Sequence, residues 1–94
     1  MFIGGEVKKE WLLEKISVEE AEERNMTYIE EVDKEVPFGF MLNFWLMLRS
    51  LIKDGDELWT FSNSKREWRL LAGREGLCIV RDGEIIHSMV TRMS

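Results

Sequence analysis

Ninety-four residues suffice to bury one hydrophobic core without disulfides or metals, and the sequence reads as a single domain over 1–94. With 45% hydrophobic and 33% charged residues, four Trp and five Phe, the chain can bury enough apolar area to offset ordering entropy, which excludes disorder. The net charge of −5 is concentrated in residues 1–36, which carry eleven acids against five bases; nucleic-acid phosphates and anionic lipid repel such a chain, so neither is expected as a partner.

A lone cysteine cannot form an internal disulfide. The opening MFIGGEVKKE lacks a basic stretch followed by an apolar run of signal-peptide length, so a cytoplasmic location is expected. From Glu10 to Ile16 the pattern suits either a strand or an amphipathic helix. Ser17 then opens S-V-E-E, with Glu20 three residues on, the signature of a capping box that starts a short helix running to about Arg24. Asn25 is suited to a left-handed exit. Residues 26–37 read as irregular or as holding a short strand near Tyr28 to Val32.

After Pro37-Phe-Gly39 comes the most apolar stretch. On a helical wheel Phe40, Met41, Phe44, Trp45, Met47, Leu48, Leu51 and Ile52 fill one arc of roughly 160°, which predicts an amphipathic helix over 40–52 capped by Gly55. Leu42 and Leu46 fall on the opposite, polar arc, and a stacked apolar pair there suggests a second contact.

Beyond Gly55 the period changes to two. Residues 57–62 read as a strand, 67–72 as a second strand or one helical turn (the spacing of the surrounding strands favours strand), 73–76 (GREG) as a turn, and 77–81 and 84–92 as a hairpin joined by Asp82-Gly83. The expected fold is therefore α+β: an antiparallel meander of three to four strands against one long helix and a short N-terminal one. The two-residue loop sets Val80 opposite Ile85, Ile79 opposite Ile86, Cys78 opposite His87 and Leu77 opposite Ser88. One hairpin face then carries Leu77, Ile79, Ile86 and Val90, the other Cys78, Val80, Ile85, His87 and Met89. Both are apolar, so something must cover each.

Chemistry-bearing patterns are sparse. Cys78 facing His87 resembles a thiol–imidazole pair, but a buried Cys beside a core-edge His is the commoner arrangement. The GREG turn lacks a phosphate-loop lysine, the Glu19–Glu23 cluster reads as a solvated helix face, and Asp54-Gly-Asp56-Glu57 lacks the remaining ligands of a calcium loop. Lys65, Arg66, Arg69, Arg74, Arg81 and Arg92 with Trp59 and Trp68 sketch a single-strand nucleic-acid surface, yet interleaved acids oppose it. No metal or cofactor is expected, and no enzyme. The pattern points to an interaction domain that pairs with itself or another protein, such as an inhibitor or immunity-type partner, through Leu42, Leu46, Ile79, Ile86 and Val90. The alternative is a small-ligand module with its pocket between the 40–53 helix and the sheet, lined by Trp45, Trp59 and Trp68.

Overall fold

Asp82 and Gly83 both take left-handed backbone conformations, with φ of 51° and 78°, in the computed structural model, which describes residues 7–94. That is the type I′ turn whose twist matches the strands it joins, β5 (Arg74–Arg81) and β6 (Glu84–Met93). β4 (Glu57–Ser62) pairs antiparallel with β5, and β1 (Leu12–Ile16) pairs antiparallel with β4. The sheet order is β1-β4-β5-β6, so the Glu10–Ile16 ambiguity resolves largely to a strand, preceded by one 3-10 turn over Lys9–Trp11. With three α-helices among the described residues the fold is α+β.

The Ser17 box forms in full: its hydroxyl accepts from the Glu20 amide at 3.0 Å, and the Glu20 carboxylate accepts from the Ser17 amide at 3.3 Å. It opens α1 (Val18–Arg24). Asn25 does not take the left-handed exit; its φ is −119°, and its side-chain amide instead donates to the Ala21 carbonyl. Residues 26–37 form a two-stranded hairpin of β2 (Met26–Ile29) and β3 (Lys34–Pro37). Gly39 rests against the side chain of Thr27, and the Phe38 amide donates to the Asn25 carbonyl, so this hairpin is anchored where the next helix begins.

That helix, α2, spans Leu42–Ser50 after a 3-10 turn over Gly39–Met41. It is shorter than the apolar arc suggests. Its C-cap is Leu51, and Gly55 (φ +87°) serves the turn into β4 instead. Residues 67–72 do not form the favoured strand, and the helical alternative is the nearer one. α3 covers Lys65–Arg69, begun by the Ser64 hydroxyl accepting from the Glu67 amide at 3.3 Å. Ser64-Lys-Arg-Glu67 is the same S-x-x-E spelling as at Ser17, and it overrides the alternation read over 67–72.

The hairpin register also departs from the two-residue-loop count. Val80 faces Ile85, but Ile79 faces His87, Cys78 faces Ser88 and Leu77 faces Met89. Ile86 is the extra residue of a β-bulge, and Thr91 that of a second one between the Gly76–Val90 and Glu75–Arg92 pairs. A side chain at Gly76 would meet the Met89 carbonyl oxygen at 1.9 Å, so the close approach of β6 there requires glycine. The first bulge exchanges Met89 and Val90 between faces. Met89 joins Leu77, Ile79 and Leu58 beneath Trp45, Leu48, Ala21 and Phe38, while Val90 joins Phe61, Cys78 and Val80 on the other side. Val7, Trp11 and Leu12 pack onto that second face, so segments of the same chain cover both.

Candidate functional site

Two surfaces stand out once the core is accounted for. The first is the outer side of α2. Trp45 and Leu48 are fully buried and Leu42 packs against the same core. Trp45 also donates its indole N–H to Glu22 of α1 at 2.8 Å, and Arg49 reaches the same carboxylate at 3.0 Å. These contacts fix the helix rotation. One flank of the predicted buried arc therefore turns outward, with Met47 55% exposed and Phe44 also exposed, and Phe40, in the 3-10 turn before the helix, is 82% exposed. Leu46 is 45% exposed. No residue from Val36 to Leu48 carries a charge, so this face is neutral on an otherwise acidic chain.

Of the residues expected at an interface, only Leu46 lies on that surface. Ile79 and Val90 are buried in the two core layers, and Ile86 and Leu42 are partly buried against the α2-side core. The cause is the coverage of both sheet faces, which removes the apolar hairpin from solvent. Phe40 and Met47 were legible as apolar helix residues but not as outward ones. The available signal is the uncharged run itself, which is wider than one buried arc requires.

The second surface is a cleft of about 480 Å³ on the face of the sheet opposite α2, between the Val7–Trp11 segment and α3. Phe61 and Val90 floor it and Trp11 forms a wall, stacked on Phe61 with ring centroids 6.4 Å apart. Lys8 lies over the Trp11 ring at 5.9 Å. Glu67 of α3 and Arg74 of β5 also line the cleft. Asn63 holds the loop behind it, donating to the Ala72 carbonyl and accepting from the Arg74 amide, both at 2.9 Å.

The tryptophan pocket expected between helix and sheet does not form, because Trp45, Leu48, Leu58, Ile79 and Met89 fill that space. Trp45 and Trp59 lie in core layers on opposite faces. Trp68 packs beside Gly73, donates to the Ser62 hydroxyl at 3.2 Å and carries the Arg92 guanidinium over its ring at 4.9 Å. Cys78 and His87 are not cross-strand partners, since the bulge at Ile86 moves His87 to Ile79. Burial pushes the Cys78 thiol up to about 12, the opposite of what a nucleophile needs.

The GREG segment lies largely within β5 rather than forming a turn. Of the basic residues on the meander, Arg81 is bound to Asp56 and Arg92 to Glu75. Among the described residues there is no cluster of three metal-ligating side chains, and no helix is long and apolar enough to cross a membrane. Comparison with protein-family models, curated proteins and solved structures finds no match for this chain.

Proposed function

We propose that this chain is a non-enzymatic interaction domain that pairs with a second copy of itself through the neutral outer face of α2. The observation carrying this reading is Phe40, an aromatic side chain 82% exposed in the 3-10 turn that leads into α2. Large apolar side chains grouped on one surface mark interaction sites more often than singly scattered ones do. The choice of a second copy rests on charge. Two chains of net charge −5 repel each other, and a face without ionised groups is where they approach at least cost. A two-fold axis near Met47 would let the stripe pack on its own copy, as isologous interfaces do. Light scattering at high micromolar concentration tests this. A dimer that Phe40→Ser with Met47→Ser converts to a monomer, at unchanged thermal midpoint, supports the reading. A wild-type monomer at those concentrations overturns it.

A basic foreign protein is the second reading, favoured by one feature. The β2–β3 hairpin exposes Glu30, Glu31 and Glu35 without an ion pair among the described residues, beside exposed Tyr28 and Val32. Binding carried by those acids weakens as salt rises, whereas apolar pairing through α2 does not.

A further inference from the structure

The cleft between the Val7–Trp11 segment and α3 has a chemistry that the α2 face lacks. Its floor and wall are apolar, formed by Phe61, Val90 and Trp11, and its volume of about 480 Å³ falls in the usual range for small-molecule sites. Three charged residues line this one space, Glu67, Arg74 and Lys8; the Lys8 ammonium lies over the Trp11 ring, and Glu67 pairs with neither cation. The Glu67 carboxylate has no cation within ion-pair distance among the described residues. The Arg74 side chain makes one hydrogen bond, to the Gly73 carbonyl at 2.9 Å, which leaves part of its donor fork unused. Both side chains are half-buried, so each already gives up part of its hydration. Neither is needed to hold the local fold through its charge: the Glu67 cap bond and the Asn63 bond to Arg74 both use backbone amides.

From this we infer that the cleft binds a small zwitterion with an apolar body, its carboxylate on Arg74, its ammonium on Glu67 and its side chain against Trp11 and Phe61. A guanidinium fork matches a carboxylate in two parallel bonds, and a lone carboxylate suits an ammonium. A purely cationic ligand would leave the Arg74 guanidinium facing an apolar body, and a purely anionic one would leave the Glu67 carboxylate so, which costs affinity. A free amino acid and a short peptide share this chemistry and differ in the spacing of their charged ends.

Isothermal titration calorimetry with L-phenylalanine and with the dipeptide Leu-Leu distinguishes the two sources. Each is compared with its N-acetylated and its C-amidated form. The inference expects saturable binding of at least one zwitterion and about a tenfold loss on blocking either end, the scale of one charge-assisted bond. Glu67→Gln should abolish the penalty for N-acetylation alone, and Arg74→Gln the penalty for C-amidation alone. The absence of saturable heat for every probe up to about 10 mM, weaker than any useful affinity, overturns it. So does binding that is indifferent to blocked ends, which would reduce the cleft to an apolar dent. The blocked ligands need no variant to fold, so the inference stays testable if either substitution destabilises the chain.

Discussion

Asp56 accepts two hydrogen bonds of 2.8 Å from the Arg81 guanidinium and one of 2.8 Å from the Lys53 amide. The Arg81 bonds first, then the Lys53 amide, hold its carboxyl down at about 2. A depressed carboxyl stabilises the fold above its unfolded value of roughly 3.9 and loses that contribution as pH falls through the folded one. The pair is therefore fully effective at neutral pH and fails only in strong acid, between about 4 and 2. Arg81→Gln should move the acid-unfolding limb upward, toward the ordinary carboxylate range, in a circular-dichroism titration. Coincident limbs for the two proteins would show that the pair contributes nothing. The turn residue was legible, since Asp54-Gly-Asp56 marks a helix-to-strand junction. Its partner was not, because nothing local ties position 56 to position 81.

Cys78 belongs to the same scale with the opposite sign. Its thiol is buried and pushed up to about 12 by desolvation alone. A raised thiol favours the folded state fully below the unfolded value of roughly 8.5, and that contribution disappears as pH climbs through the folded value. Only the thiolate is nucleophilic. Alkylation at pH 8 should therefore proceed at the rate of unfolding, and become fast in denaturant. Rapid labelling of the native protein would mean that the second face of the sheet opens to solvent.

Among the elements, α2 carries the widest gap between pattern and outcome. A wheel reports which residues are apolar, not how far the helix is rotated on its sheet. The rotation comes from contacts distant in sequence, Trp45 on Phe38 with ring centroids 4.9 Å apart, and Trp45 and Arg49 on Glu22. Leu48 and Phe40 lie in the same predicted arc, yet one is fully buried and the other is 82% exposed. Leu48→Ala should cost about 2–5 kcal/mol by chemical denaturation, because it removes buried methyls and leaves a cavity. Phe40→Ser should stay within about 0.5 kcal/mol. Equal losses would mean that Phe40 is covered. The strand elements fail differently: Asp82-Gly83 determined the turn, but the Ile86 bulge shifts the pairs from Ile79 to Gly76 by one residue and the Thr91 bulge shifts the last two by one more. A bulge follows from how β6 fits its neighbours. The one local hint is Gly76, where only hydrogen leaves room for the Met89 carbonyl.

At the scale of the whole molecule, a four-stranded sheet covered on both faces has little apolar sheet surface left to offer, and the proposed pairing uses the neutral helix flank instead. Self-association there works against the repulsion of two chains of net charge −5. Added salt shortens the Debye length from about 10 Å at 0.1 M to about 3 Å at 1 M, which removes that repulsion while leaving apolar burial intact. The dimer should therefore tighten as sodium chloride is raised over this range, in sedimentation equilibrium at neutral pH. The acidic β2–β3 hairpin makes the opposite prediction for any complex it dominates, since its attraction to a basic partner is screened by the same ions. Glu30→Gln with Glu31→Gln separates the two: it should strengthen pairing through α2 slightly by lowering the net charge, and weaken capture of a basic protein. A dimer that loosens with salt would place the contact on charged groups and away from Phe40 and Met47.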